Sequence, residues 1–185
     1  VEEFSTAVHY AYHLDAGLFA GLLKEIAQAN GVHFIPDDLT DVELDDRGHV
    51  AALQLKEGGR HPVELVIDCT GFRSLVLQKA LGEPFVPYDK FLLNDRALAV
   101  QIPHDDVRQL PPCTGSTALG AGWVWRVPLY NRIGTGYVFS SKFRTDEQAI
   151  DEFMTHLGPT AAGAEPRVIP LRIGHARRSW VKNCI

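Results

Sequence analysis

Apolar residues in the first part of the chain recur with the spacing of a helix. They stand three or four positions apart at Leu18, Phe19, Leu22, Leu23 and Ile26. This spacing places the five side chains on one face and predicts an α-helix over residues 16–29. Asp15 occupies the N-cap position, and Gly31 suits the left-handed conformation that ends many helices.

The pattern then changes to that of strands. A short strand is predicted at residues 32–36, followed by a meander of three strands at residues 39–44, 49–56 and 61–68. The meander ends in an apolar run at residues 65–67, which is typical of a strand buried on both faces. This order of elements matches the middle portion of an FAD-binding Rossmann-type domain, so the sequence predicts a mixed α/β fold.

The second half of the chain predicts a further sheet and a helix. Strands are predicted at residues 97–102, 114–118, 123–129 and 133–140. Thr145 is the expected cap of a helix at residues 146–157, a surface linker covers residues 155–165, and strands follow at residues 167–173 and 178–184. We therefore expect a partial FAD-binding domain (1–81), a substrate-side sheet with one helix (82–165) and strands returning toward the FAD domain (166–185).

The turn at residues 68–73 lies where a dinucleotide would pass, outside the carboxyl end of the predicted buried strand. Gly71 permits close approach of a ligand to the backbone, and Asp68 can accept a hydrogen bond from a ribose or ribityl hydroxyl. The helix predicted at residues 74–81 would offer free backbone donors. An ordinary strand-to-helix turn is the alternative. The chain contains no G-x-G-x-x-G motif, so either FAD is absent or the first strand lies upstream.

Two tryptophans stand two positions apart in the predicted strand at residues 123–129. Side chains alternate along a strand, so Trp123 and Trp125 share one face while Val124 and Arg126 take the other. The pair either packs a core or lines a cavity, and its spacing leaves both interpretations open. Gly134 and Gly136 in the next strand indicate a bend or a close backbone approach.

The composition narrows the classes of partner and of site. A net charge of −5 gives no general attraction for nucleic acid, and no apolar run reaches the ~20 residues that span a membrane. Three cysteines without a C-x-x-C pair indicate neither a disulfide framework nor a zinc site, and they fit a reducing cytoplasm. At residues 104–106 a solvated turn is favoured over a metal site. The absence of an initial methionine suggests a piece of a longer protein.

Six collinear stretches carry a resemblance to a known family. They are residues 12–16, 68–73, 93–96 with 100–103, 123–128, 134–141, and 174 with 177–180. The chain resembles the flavin-dependent tryptophan halogenases over essentially its whole length. Residues 123–128 are similar to the W-x-W-x-I-P signature of that family, with Val127 in place of isoleucine.

The resemblance implies an enzyme that uses FADH2, O2 and chloride or bromide to halogenate an aromatic substrate such as tryptophan. It implies a glutathione-reductase-like fold and a separate flavin reductase as partner. Residues expected near the flavin ring are Trp123, Trp125, Val127 and Pro128. Those expected to contact the cofactor are Leu39, through its backbone to adenine, with Asp68, Gly71, Phe72 and Arg73. The catalytic lysine and glutamate of the family lie outside these residues, and neither Lys79 nor Lys90 occupies the motif of that lysine.

Two other functions stay open on the sequence. The first is a segment of an FAD-dependent aromatic monooxygenase, which would transfer oxygen at the flavin itself. The second is a non-catalytic remnant of a flavin-binding fold. The sequence leaves open the substrate, the regiochemistry, the halide and whether the protein is a homodimer.

Overall fold

Helix α1 (Ala16–Ala29) is the first regular element of the computed structural model, which describes residues 10–104, 106 and 108–185. The Oδ1 atom of Asp15 caps it by accepting from the N–H groups of Gly17 and Leu18 at 3.1 and 3.3 Å. Beyond the helix, Gly31 has a φ of 86°, the left-handed conformation expected there. The predicted helix, its cap and its terminating glycine are confirmed.

The meander follows as an antiparallel sheet. Its strands, in sheet order, are β1 (Leu39–Leu44), β2 (Val50–Leu55) and β3 (Gly59–Pro62). The first two match the predicted strands closely. The third starts at Gly59 and stops at Pro62, so its predicted extension to residue 68 is wrong. Pro62 has no N–H group with which to continue a ladder.

Three apolar stretches that were predicted as strands lack a ladder. Within the described residues, the 32–36 segment has no strand assignment, and residues 178–184 form only isolated bridges, which join Cys184 to Val181 and to Val66. In the run at 65–67, Val66 is buried and bridges Cys184, but Leu65 and Ile67 are 55% and 68% exposed. The prediction of a strand buried on both faces is therefore wrong for this run. A strand needs a neighbour on its hydrogen-bonding edge, and the pattern of apolar residues does not supply one.

Two short helical turns replace the regular helix predicted at residues 74–81. A 3₁₀ turn spans Gly71–Arg73 and a π-helical turn spans Leu75–Ala80. Ser74 lies between them with a φ of 39°, an unusual value for a residue with a side chain. Val76 and Leu77 turn inward and pack in the same apolar cluster as Val50 and Val66. This cluster fixes the turn against the meander.

The second half of the chain forms a larger antiparallel sheet. Its strands, in sheet order, are β6 (Gly115–Leu119), β7 (Gly122–Pro128), β8 (Ile133–Phe139), β5 (Arg96–Ile102) and β9 (Arg167–Pro170). The first four in chain order agree with the predicted strands to within one residue at each end. We call this element the large sheet.

Helix α2 (Asp146–Leu157) covers one face of the large sheet. Thr145 caps its start, as the sequence predicts, and the side chains of Thr145 and Gln148 form a reciprocal capping box. Ala149 and Phe153 are fully buried and pack against Val124 and Tyr137 of the sheet. The core of this half of the chain therefore lies between α2 and the sheet. A 3₁₀ turn, Gly158–Ala161, follows, and Ala161 is buried, so this part is not the surface linker that was predicted.

The last residues connect the two halves. β4 (Phe85–Pro87) pairs with β10 (Gly174–Ala176), a pairing that the sequence did not predict. The N–H group of Asp68 donates to the carbonyl of Ile185 at 2.7 Å, and the side-chain amide of Asn183 donates to the carbonyl of Val50 in β2 at 2.9 Å, so the last residues contact the first half of the chain. Since β9 belongs to the large sheet, that sheet continues beyond residue 165. The division into three domains stays a prediction.

Candidate functional site

The tryptophan pair stands on the face of the large sheet that is opposite α2. Alternation along β7 sends Val124 into the core and turns both indoles the other way. The ring centroids of Trp123 and Trp125 are 6.2 Å apart at an interplanar angle of 61°. Trp123 is 42% exposed and Trp125 is half-buried. The two indoles therefore form one continuous apolar surface, which we call the indole wall.

Gly136 makes room for the second indole. The register of β7 and β8 places Trp125 directly opposite Gly136. A Cβ atom built on Gly136 would overlap both the six-membered part of the Trp125 ring and the carbonyl of Leu98. At Gly134, the nearest atoms would be 3.7 and 3.9 Å from such a Cβ, which is ordinary contact. Of the bend or close backbone approach that the glycine pair predicts, the close approach is confirmed at Gly136, whereas Gly134 has none.

A cleft of about 580 Å³ borders the indole wall at Trp125. Ala99 and Gln101 of β5 line it, together with Gly134. Charged side chains at its edge are Arg132, Glu165 and Arg167. Of the two interpretations of the tryptophan spacing, the structure supports cavity lining for Trp125, because the core on the other side of the strand is filled by Val124.

Val127 and Pro128, the last two residues of the stretch that is similar to W-x-W-x-I-P, lie at the end of β7. Val127 is half-buried, and Pro128 is buried. The carbonyl of Pro128 accepts from Nδ1 of His13 at 2.8 Å, and Nε2 of the same ring lies 3.2 Å from Oγ1 of Thr114. Arg132 donates to Asp15 at 2.9 Å. We call these five residues, His13, Asp15, Thr114, Pro128 and Arg132, the β7 clamp. Residues 12–16 and 123–128 both carry the family resemblance, which is a sequence signal for the importance of these segments, but nothing in either stretch shows that they are in contact.

Asp68 is engaged by its own chain. Its Oδ1 accepts from the N–H and the hydroxyl of Thr70 at 3.1 and 2.5 Å, and its Oδ2 accepts from the N–H groups of Val76 and Leu77 at 3.1 and 2.8 Å. The hydroxyl of Thr70 in turn accepts from the N–H of Leu75 at 2.7 Å. The backbone donors that were expected to be free for a ligand are therefore occupied. Asp68 organises the turn from within.

Burial of the Asp68 carboxyl is the largest single influence on its pKa and raises it. The N–H of Leu77, the two donors of Thr70 and the N–H of Val76 act in the opposite direction and together lower the pKa below its ordinary value. Asp68 is consequently a carboxylate at neutral pH, with Oδ2 directed at the start of the π-helical turn and Oδ1 directed at Thr70.

Leu39 and Arg73, two of the residues expected to contact the cofactor, meet in one cleft of about 370 Å³. The cleft lies between β1 and the π-helical turn, and Lys79 adds a second positive charge to its lining. Beside it, Gly71 has a φ of 64° and open space where a Cβ would stand, and Phe72 is exposed. Contact of these residues with a cofactor stays a prediction.

The two groups of predicted site residues remain apart. The cleft at Trp125 and the cleft at Arg73 have no lining residue in common. In the described ranges, no group of three or more His, Cys, Asp or Glu side chains is arranged to hold a metal, and Asp105 lies outside those ranges. No helix that could span a membrane is found among the described residues.

Comparison with known proteins identifies one family. The family model for tryptophan halogenase matches residues 1–185. Tryptophan 6-halogenase SttH from Streptomyces toxytricini is 43% identical over 181 residues, which are 97% of this chain and 35% of that protein. Tryptophan 7-halogenase RebH from Lentzea aerocolonigenes is 40% identical over 185 residues, 98% of this chain and 34% of that protein.

Solved structures agree with these sequences. The crystal structure of SttH superimposes with a TM-score of 0.90 at 42% identity, covering 94% of this chain and 36% of SttH. BrvH, a flavin-dependent halogenase from Brevundimonas sp. BAL3, gives a TM-score of 0.86 at 43% identity, covering 94% of this chain and 35% of BrvH. The chain thus has part of the fold of these enzymes and spans about a third of the length of the relatives it matches.

Proposed function

Because the chain belongs to the tryptophan halogenase family, we propose that it is a segment of a flavin-dependent enzyme that halogenates an aromatic substrate such as tryptophan. The observation that carries this proposal is the placement of Trp125, which faces a cleft over Gly136 instead of packing the core. A bulky apolar wall at a cleft serves an enzyme that must keep its organic substrate and water away from a reactive oxidant.

The residues around the Arg73 cleft fit one end of FAD. Gly71 offers open space for close approach, Leu39 lines the cleft, and Arg73 and Lys79 supply positive charge for an anionic cofactor. Phe72 is exposed beside them and can lie against a flat ring. When bound as FADH2, the cofactor supplies electrons to O2, which allows chloride or bromide to be oxidised. Asp68 serves this site by holding the turn.

We assign the indole wall, Trp123 and Trp125, together with Val127 and Pro128, to the neighbourhood of the flavin ring. Their part is exclusion and shape, since none of them can transfer a proton at neutral pH. The residues that act on halide and substrate directly, a lysine and a glutamate in this family, belong to other parts of the enzyme.

We also propose the partners that this chemistry requires. A separate flavin reductase would deliver FADH2, and a small aromatic molecule would be the substrate. The three cysteines are unpaired in the structure, which is consistent with a reducing cytoplasm as the compartment. Neither nucleic acid nor a membrane is proposed as a partner, and homodimer formation would be tested by light scattering.

The test uses the full-length protein with a flavin reductase, NADH, FAD, O2 and either chloride or bromide. A panel of indoles and phenols is the substrate, and products are identified by mass. We expect a product that gains a halogen only when halide, FAD and O2 are all present. Oxygenated product formed without halide would instead indicate a monooxygenase, and FAD-loaded protein that yields neither product would indicate a non-catalytic remnant.

The indole wall is tested in the same assay with Trp125→Ala. We expect a larger fraction of the O2 consumed to yield oxygenated product or no halogenated product. The reason is that the variant removes the indole that we propose keeps the substrate and water away from the flavin. Tyr130→Ala is the matched control, since Tyr130 is an exposed aromatic residue in the turn after the same strand. Equal product ratios in Trp125→Ala and the wild type would contradict the role given to the wall.

A further inference from the structure

The segment before helix α1 meets the end of the tryptophan strand through a histidine. His13 is separated by 115 residues from Pro128 and by 101 residues from Thr114, yet its ring contacts both. A carbonyl oxygen can only accept, so Nδ1 of His13 carries the hydrogen that is donated to Pro128. In the neutral ring, Nε2 then accepts from the hydroxyl of Thr114. The imidazole thereby connects Pro128, the last residue of β7, to Thr114, the residue before β6, through hydrogen bonds.

A carboxylate makes the second connection. Oδ1 of Asp15 caps helix α1, while Oδ2 accepts from Nη2 of Arg132 in the turn between β7 and β8. The side chains of Asp15 and Arg132 are only 15% and 24% exposed, so solvent screens this ion pair less than a surface pair. The pKa of Asp15 is lowered chiefly by the hydrogen bond from the N–H of Leu18. Desolvation of the carboxylate raises the pKa, and the hydrogen bond from Arg132 lowers it further.

Helix α1 has no apolar anchor of its own in this part of the chain. None of its residues is buried. Within the described residues, His13 and Asp15 connect the segment before the helix to the large sheet through polar contacts, which have strict requirements for distance and direction. Such contacts define a position more sharply than apolar packing does.

The β7 clamp also reaches the cleft beside the indole wall. Arg132 lines that cleft together with Trp125, and Pro128 ends the strand that carries both tryptophans. We propose that His13 and Asp15 are positioning residues of the halogenase: they hold Pro128 and Arg132, and through them they set the shape and the charge of the cleft at the indole wall. This functional consequence depends on the proposed function, whereas the structural effect of the clamp does not.

The clamp is tested in the full-length protein with Asp15→Asn and Arg132→Gln. Asparagine caps a helix about as well as aspartate, so Asp15→Asn keeps the cap of α1 and removes only the charge opposite Arg132. We expect each variant to lower the ratio of halogenated product to O2 consumed by roughly tenfold or more, since a misplacement of about 1 Å in an active site can cost about a hundredfold. The remaining O2 should appear as H2O2. Arg132→Lys, which restores the cation, should recover most of the ratio.

Matched controls separate the clamp from general destabilisation. Asp46→Asn changes a carboxylate in the exposed turn between β1 and β2, and His33→Ala removes an exposed histidine after α1. Both should leave the product ratio unchanged, while His13→Ala should lower it. The Asp15→Asn and Arg132→Gln double variant should be no worse than either single variant, because both remove the same contact.

Hydrogen exchange gives a measurement that does not depend on halogenation. In Asp15→Asn and His13→Ala, backbone amides of residues 129–135 should exchange faster than in the wild type, with little change in α2. Unchanged exchange in these amides would overturn the clamp even if the wild-type enzyme halogenates. Faster exchange with an unchanged product ratio would overturn its positioning role. A wild type without halide-dependent product would count against the proposed function alone.

Discussion

At the scale of single residues, the site depends on a pair that the sequence shows only in part. The spacing of Trp123 and Trp125 predicts a shared face, and the glycines of β8 predict a close approach. That the approaching group is the indole of Trp125 requires the register of β7 against β8, which pairs Trp125 with Gly136. The register depends on how the two strands pair, so it cannot be predicted from the sequence of either strand alone.

The register leads to a test with two matched glycines. Gly136→Ala places a methyl group into the ring of Trp125 and the carbonyl of Leu98, so we expect the free energy of unfolding to fall by about 2 kcal/mol or more. Gly134→Ala, on the same strand and face, should change it by only about 0.5 kcal/mol. Urea denaturation of the full-length protein measures both. Equal losses in the two variants would contradict the seating of Trp125 over Gly136.

At the scale of elements, helices and strands whose caps and apolar spacing lie in their own sequence were predicted. Strands that depend on pairing with a distant strand were not. Helix α2 has its capping box and its apolar spacing in its own sequence, and its bounds agree with the prediction. The apolar run at residues 65–67 suggested a buried strand, but burial of a strand is decided by its neighbours. β4 and β10 are three-residue strands that pair across a long interval, too short to produce a periodic pattern.

The turn held by Asp68 makes a prediction about pH at this scale. Its folded pKa is lower than the unfolded value of about 3.9, so the carboxylate stabilises the fold above that pH. This stabilisation is lost as the pH falls through the folded pKa. Asp68→Asn should therefore lower stability at pH 7, by about 2 kcal/mol for lost hydrogen bonds to a charge, and the loss should shrink as the pH falls from about 5 to 3.

Urea midpoints measured across that pH range for the full-length protein check this expectation. Other carboxylates with lowered pKa values, such as Glu83 beside Arg178, make the wild type less stable in acid as well. The difference between wild type and Asp68→Asn is therefore the quantity to compare. Asp46→Asn should follow the wild-type curve. A difference that stays constant with pH would show that the charge of Asp68 does not stabilise the turn.

At the scale of the whole molecule, the resemblance to tryptophan halogenases is confirmed, because the family model matches residues 1–185 and solved halogenases share the fold. Of the residues predicted to lie near the cofactor, Leu39 and Arg73 share one cleft and Trp125 borders another, and their contact with a cofactor stays a prediction. The β7 clamp was missed, because its residues come from three distant segments. Contacts between such segments follow from the tertiary fold and leave no periodic signal in the sequence.

The exposed apolar surface of this chain bears on its behaviour in isolation. Apolar side chains of α1 that face solvent are Leu18, Phe19, Leu22, Leu23 and Ile26. Leu65 and Ile67 beside the Asp68 turn are exposed as well. A contiguous surface of this kind is normally covered by another part of a protein or by a partner. Because the chain spans about a third of its relatives, we expect much of the FAD-binding surface to require residues beyond these 185.

The 185-residue polypeptide alone should therefore bind FAD weakly, with a Kd above about 1 µM. It contains no G-x-G-x-x-G motif to receive the pyrophosphate, and the donors at the start of the π-helical turn are occupied by Asp68 and Thr70. Flavin fluorescence quenching measures the Kd, with the full-length protein as the comparison. The full-length protein should bind at least tenfold more tightly, a difference of about 1.4 kcal/mol. A submicromolar Kd for the isolated chain would mean that the Arg73 cleft and Gly71 hold the cofactor without the rest of the fold.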